Sequence, residues 1–460
     1  MHLSATERLA DFAVSTSFEN LPPGTVDRVK QLLLDQLGCQ LAFAGLPWSR
    51  QAREYALARN SSAGRSTVVA HGDRVSGESA AFVNAVSGHG FELDDTEMST
   101  ASHPGAVVIP AALALAEELD ASGPAVITAI TIGYELMIRA GLSAPGMMQR
   151  GFHTTAAAGP FGAAAVAGRM FGLAPGQFAN ALGIAASQSS GITEYTAAGG
   201  SVKRFHPGFA ATSGIRAAAL ASLGVDAPSS ALEGSRGFIA AFSGIDRSEE
   251  LFAGLGNTFM IDRMGTKPYC CCAGQHAAID AMASLMKHHS LLAQDVEVIE
   301  VFVRQRERSV VGKIRNPKDV MEAQFSAAFG LALRMLVGSN GYTDYSEANI
   351  QDGSIRALAQ RVHFPVVPDA SLPDGDAPAR IVVTRRNGTQ IEATVEYASG
   401  TAQRPSSWTD AEAKFMDLTS GVMAEEDAAR IIHQLHALEE APSIEPFMRL
   451  LVCPEASMNC

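Results

Sequence analysis

Apolar residues in the first part of the chain recur at helical intervals. Val26, Val29, Leu33 and Leu37 lie three to four residues apart behind Pro22-Pro23-Gly24, a helix entry in which the fixed φ of proline suits the first turn. The same periodicity predicts helices over 77–90, 107–119, 124–142, 155–171, 176–188 and 207–223. Alanine and glycine crowd several of them, as in GPFGAAAVAG, AALALAEE and IRAAALAS. Small residues on facing surfaces let helix axes approach closely, so a compact helical core is expected. The longest apolar run, Gly105 to Ala116, contains Pro110 and stops at Glu117-Glu118. It is shorter than the about 20 residues a bilayer requires and reads as a buried helix.

After about residue 290 the pattern changes. VEVIEVFVR, with Val296, Val298 and Val303, is a β-branched run, and RVHFPVV over 361–367 reads as a second short strand. ARIVVTRRNGTQIEATVEYASG gives two alternating runs joined by Asn387-Gly388, a strong hairpin signal. Between them MEAQFSAAFGLALRMLVG reads as a helix, making this region an α+β module. The stretch 409–443 returns to amphipathic helix, so the C-terminus is expected to rejoin the helical part. At 460 residues the chain exceeds what one core usually supports, and two domains are the default.

Hydrophobic residues make up 47% and charged residues 18%, a globular balance that argues against disorder. A formal net charge of -13 argues against nucleic acid and anionic membrane surfaces as partners. An anionic substrate would therefore need a local basic site. The N-terminal stretch has charges scattered through its apolar positions, so no targeting segment is expected and the protein is read as cytoplasmic. Cys270, Cys271 and Cys272 are adjacent, and with Cys39, Cys453 and Cys460 they give neither a disulfide framework nor zinc or iron–sulfur spacing. Reduced thiols and no metal are expected. No G-x-S-x-G, P-loop, H-E-x-x-H or strand-linked G-x-G-x-x-G is present.

Four segments carry candidate chemistry. GHGFELDDTEMSTASHPG holds His89, Glu92, Asp94, Asp95, Thr96 and His103; its crowded carboxylates need a metal, a basic partner or exposure on a solvated helix-end loop. RGFHTTAAAGPFGAA places His153 before a helix that Thr154 or Thr155 could cap, near the positive helix end that lowers an imidazole pKa. In GGSVKRFHPGFAATSG, Lys203, Arg204 and His206 arrive together at the Pro207 helix start, within a charge-poor region. That is either a carboxylate or phosphate site or a solvated patch. GTKPYCCCAGQHAAIDA brings Lys267, Tyr269, the three cysteines and His276, with a nucleophilic cysteine the weaker reading beside simple packing.

Taken in this order, ELDDT with HPGAVVIPAALALAE, GFHTTAAAGPFGAAA, KRFHPGFAA, KPYCCC with HAAIDA, and EAQFSAAFGLAL resemble the MmgE/PrpD family over about residues 25 to 440. That family includes 2-methylcitrate dehydratases, cis-aconitate decarboxylases and iminodisuccinate epimerases. The resemblance implies a mainly α fold: a large all-helical domain, 1–267 with 405–460 returning to it, and an inserted smaller α+β lid domain, 268–404. It also implies a homodimer, an active site between the domains, and catalysis without metal or organic cofactor.

The resemblance further implies that His103, His153, Lys203 and Lys267 are catalytic. His103 would be the general acid/base, the lysines the carboxylate cradle and His153 an assisting donor. Glu92, Asp95, Thr96, Arg204, His206 and Cys272 would contact a small polycarboxylate substrate. Relative to the family's decarboxylases, Glu92 stands in place of Asp, Cys272 in place of His and Ala327 in place of Tyr, and the Thr96–His103 spacing is one residue longer. The chemistry is proton transfer at a carbon beside a carboxylate, with lysine ammonium groups stabilising the charge that develops. A dehydratase- or decarboxylase-like lyase is the leading expectation, followed by an epimerase of an aminodicarboxylate and then a non-catalytic metabolite-binding protein.

Overall fold

The computed structural model describes residues 3–59 and 64–454, which leaves Cys460 outside the described residues. The fold is mainly α and divides into two compact units. One comprises Met1–Gly90, Asp94–Met264 and Ser407–Cys460; the other comprises Phe91–Leu93 and Gly265–Ser406.

In the larger unit the predicted helices form as Pro23–Phe43, Gly77–Gly88, Gly105–Leu119, Gly123–Ser143, Thr154–Met170, Pro175–Gln188 and His206–Ser222. Their small residues do what the pattern suggests. A Cβ on Gly133 would lie 3.2 Å from the Gly162 carbonyl oxygen, and one on Gly162 would lie 3.0 Å from that of Gly133, so these two helices meet backbone to backbone. Gly105 through Glu117 are all buried. The expectation of an all-helical domain needs one correction: Ser66–Thr67 pairs antiparallel with Arg74–Val75. Glu117 holds this ladder, accepting from the Thr67 amide (2.6 Å) and hydroxyl (2.7 Å) and pairing with Arg74.

A second long apolar segment is also buried. Among the described residues one helix, Gly123–Ser143, is long and apolar enough to cross a membrane, and 89% of its apolar window is buried inside the fold. Its two charges pair with each other, Arg139 Nε to Glu135 at 2.8 Å. Arg139 also donates to the carbonyls of Glu250, Leu251 and Ala253, while Glu135 accepts the Met260 amide. Paired and hydrogen-bonded in this way, an ion pair survives in a core.

The C-terminal stretch is not one helix but Trp408–Thr419, Glu425–His436 and the turn Leu438–Glu440. Lys414 bonds Asp35 at 2.6 Å and Lys30 bonds Glu439 at 2.9 Å, tying this stretch to helix Pro23–Phe43.

The smaller unit contains a four-stranded sheet in the order Val362–His363, Val296–Phe302, Ala379–Arg385, Gln390–Val395, the first pair parallel and the others antiparallel. The strand expected over 361–367 is only two residues long. In the hairpin Gly388 alone takes a positive φ (82°), and the Arg385 amide reaches the Thr389 carbonyl. This is a three-residue loop with glycine at its left-handed position rather than a two-residue turn. The helix predicted over 321–338 is broken into Val320–Gln324 and Ala327–Val337, because the Ser326 side chain accepts the Phe329 amide and starts a new helix.

Candidate active site

The segment between helices Gly77–Gly88 and Gly105–Leu119 is a loop folded into the interior. Exposure does not explain its carboxylates, since Asp94 is 0% and Asp95 2% exposed. Each has a specific partner. Asp94 accepts from His89 Nδ1 at 2.6 Å, both side chains fully buried. Asp95 accepts the Gly105 amide at 3.0 Å and the Tyr134 hydroxyl at 2.7 Å. Residues 97–102 close on themselves, with Glu97 paired to Ser102 across the loop and its carboxylate accepting the Thr100 amide at 2.7 Å.

This loop delivers His103. Its Nδ1–H donates to the Asp95 carbonyl at 2.7 Å, with Asp94 Oδ2 3.7 Å away, and its amide donates to Thr155 Oγ1 at 3.1 Å. The expectation that Thr154 or Thr155 caps the next helix is corrected here. His153 itself occupies the N-cap without a side-chain cap bond, and the Thr155 hydroxyl serves His103.

Lys203 and Arg204 lie in the short turn Val202–Phe205 that feeds helix His206–Ser222. The surface-solvation reading fails: Lys203, Arg204 and His206 are 4%, 2% and 3% exposed. Arg204 Nη1 reaches the His89 carbonyl at 3.4 Å, and its guanidinium lies 5.5 Å over the Trp48 ring. Four imidazoles therefore follow one another: His89–His103 at 5.0 Å, His103–His153 at 6.5 Å and His153–His206 at 5.1 Å between ring centres. The Tyr195 ring stands edge-on at 5.8 Å from both His153 and His206.

Burial is the main electrostatic influence. It drives the His153 pKa well below the usual imidazole value, with Lys203 and the other imidazoles adding to the effect. His206 is pushed down to about 4, again chiefly by burial, with His89 and Lys203 contributing. Burial lifts the Asp95 carboxyl to about 8; the Tyr134 and Gly105 hydrogen bonds oppose this, while Asp94 and Asp35 add to it.

His89, Asp94 and His103 offer ligand atoms within 4.8 Å of one another, a possible metal set that linear spacing did not reveal. His103 Nδ1 already donates to a carbonyl and His89 Nδ1 faces a carboxylate, an arrangement that orients imidazoles without an ion.

In the smaller unit Glu92 sits at positive φ (58°), and Lys267 Nζ lies 3.3 Å from its carbonyl and 3.5 Å from its carboxylate, both side chains buried. Gln324 organises the neighbourhood. Its amide donates to the Phe91 and Cys270 carbonyls, and its own carbonyl accepts from the Cys272 amide and from Gln275. Cys270 Sγ contacts the Phe91 carbonyl at 3.1 Å, and burial pushes the Cys271 thiol up, against a thiolate nucleophile. Cys272 is half-buried and Ala327 buried.

Of the ten residues read from the sequence, Asp95, Thr96, His103, His153, Lys203, Arg204 and His206 fall in the larger unit, all buried; Glu92, Lys267 and Cys272 fall in the smaller. His89, Asp94, Tyr134, Tyr195 and Gln324 were not among them. Only His89 and Asp94 lay in a segment singled out for its chemistry.

A family model described as the MmgE/PrpD N-terminal domain matches residues 7–250, and one described as the MmgE/PrpD C-terminal domain matches residues 269–440. The cis-aconitate decarboxylase of Aspergillus terreus (strain NIH 2624 / FGSC A1156) is 27% identical over 479 residues, covering 98% of this chain and 96% of that protein. The cis-aconitate decarboxylase of Homo sapiens is likewise 27% identical over 479 residues, covering 99% and 97%.

Proposed function

The chain belongs to the MmgE/PrpD family, and from that premise we propose that it is a lyase that acts on a small di- or tricarboxylate by proton transfer at a carbon beside a carboxylate, with no metal or organic cofactor. The observation that carries this reading is His103. With Nδ1–H committed to a backbone carbonyl, the neutral ring keeps its lone pair on Nε2, the state a general base requires. Lys203 and Arg204 supply buried positive charge in a chain of net charge -13. Carboxylate binding there stabilises the substrate, and the enediolate-like charge that follows proton removal draws on the same cations more strongly. His153, kept neutral by burial, assists as a hydrogen-bond donor rather than as a cation.

Relatives named as cis-aconitate decarboxylases support elimination of carbon dioxide as the first reaction to try. The departures at Glu92, Cys272 and Ala327 place dehydration beside it. Incubation with cis-aconitate, 2-methylcitrate and related acids in deuterium oxide, followed by NMR and mass spectrometry, tests the reading. Loss of carbon dioxide with one solvent deuteron taken up on carbon, or loss of water with a new carbon–carbon double bond, is expected. Deuterium with stereochemical inversion and no mass loss would replace the lyase with an epimerase. Neither product nor exchange across the panel would favour a metabolite-binding protein.

A further inference from the structure

His153 Nδ1 and His206 Nδ1 lie 2.9 Å apart. A hydrogen bond between two imidazole nitrogens needs one donor and one acceptor, so the two rings must hold opposite tautomers at these atoms. Both residues are buried, 2% and 3% exposed, and the groups facing them offer little to stabilise a cation. Lys203 is already positive, His89 and His103 are further imidazoles, and Tyr195 presents its ring edge. A proton added to either ring would sit in a dry, cation-bearing pocket, so the stable arrangement is two neutral rings sharing one hydrogen bond.

Two such arrangements exist. With the proton on His153 Nδ1, the far nitrogen of His153 is an acceptor, which would repel a carboxylate. With the proton on His206 Nδ1, His153 carries its own proton on Nε2 and presents a donor. We propose that His206 is a positioning residue that donates from Nδ1 to His153 and thereby locks His153 as a neutral Nε2–H donor toward an anionic substrate. This rests on the lyase reading for its purpose but not for its geometry. His206 opens helix His206–Ser222 and its ring is buried against His153 and the edge of Tyr195, which limits the orientations open to it.

The experiment is long-range proton–nitrogen correlation NMR on the full chain labelled with nitrogen-15 histidine at pH 7.5, with His153→Gln and His206→Asn used for assignment. The expected spectrum shows His153 as the neutral Nε2–H form and His206 as the neutral Nδ1–H form. The reverse assignment, the same tautomer on both rings, or a cationic ring above pH 6 would overturn the proposal. A second arm compares His206→Asn, whose amide can still donate, with His206→Leu, which cannot. His206→Leu should turn the His153 signals into a tautomer average and lower kcat at least tenfold with little change in KM, while His206→Asn keeps the Nε2–H form and most of the turnover. Equal losses in the two variants would reduce His206 to packing. If His206→Leu does not fold, the wild-type spectrum alone decides. The expected tautomers without turnover of any polycarboxylate would leave the pair standing and remove the lyase; turnover with matching tautomers would do the reverse.

Discussion

The imidazole of His103 is held by the backbone of Asp95, whose carbonyl accepts its Nδ1–H at 2.7 Å, while the side chain of the same aspartate caps the helix that begins two residues after the histidine. One residue thus fixes both the ring and the element that carries it. His103→Ala should abolish turnover, read as release of carbon dioxide or water. It should leave the circular dichroism spectrum unchanged, because its backbone bond to Thr155 survives. Retained turnover would move the acid/base role to another imidazole.

Lys203→Ala should weaken turnover sharply. Loss of a charged hydrogen bond at such a site costs about 2–4 kcal/mol, or roughly 30- to 1000-fold in kcat/KM. Steady-state kinetics measure it, and wild-type values would assign Lys203 to the internal charge balance of the fold.

Stability should fall on acidification below about pH 6.5. In the folded chain His153 and His206 are held below their ordinary pKa, His206 at about 4, so the unfolded chain binds more protons in this window. Each contributes a slope of up to about 1.4 kcal/mol per pH unit, with stability rising as pH rises. Asp95 acts in the opposite sense. Its carboxyl, raised to about 8, makes the folded chain hold a proton that the unfolded chain has lost, which lowers stability as pH climbs from about 4 to 8. Denaturant midpoints across pH should therefore steepen on Asp95→Asn and flatten on His206→Asn.

Gly105→Ala should destabilise the chain by about 1–3 kcal/mol. A Cβ there would come 2.6 Å from the Tyr134 hydroxyl and 2.7 Å from Asp95 Oδ2. Tyr134→Phe removes the nearest of the clashing atoms, so a double-mutant cycle by urea unfolding should show the pair to be strongly non-additive.

Purified protein should keep its activity in chelator and sediment as a homodimer. Elemental analysis showing one ion per chain, lost together with activity and restored by the metal, would make His89, Asp94 and His103 its ligands.

Much of this molecule was legible before any coordinates. Helices with a broad apolar stripe, such as Gly105–Leu119 and Thr154–Met170, were readable to within about two residues because burial on nearly every side leaves an unmistakable pattern. Pro47–Arg59 was not, since it buries only Ser49, Ala52 and Ala56 and its stripe is thin. Ala5–Ser15 could have been found from its Ser4–Glu7 capping box. In the site, local chemistry drew attention to His103, His153, Lys203 and His206, but pairing is a property of three dimensions. His153 meets His206 across 53 residues, and Tyr134 meets Asp95 across 39. At the acidic and basic clusters the sequence left a solvated surface open beside a buried site, because linear sequence reports charge and not its neutralising partner.

The buried Arg139 also has a consequence for synthesis. Ribosomes add roughly 5–20 residues per second. The carbonyls that receive its guanidinium lie 111 to 114 residues downstream, so for roughly ten seconds the arginine of this apolar helix has Glu135 as its partner and lacks those carbonyls. Lys414, which neutralises Asp35 from 379 residues away, arrives later still. Helix Pro23–Phe43 therefore lacks the partner of its buried Asp35 until residue 414 has been made, so truncation before that residue should lower the yield of folded protein.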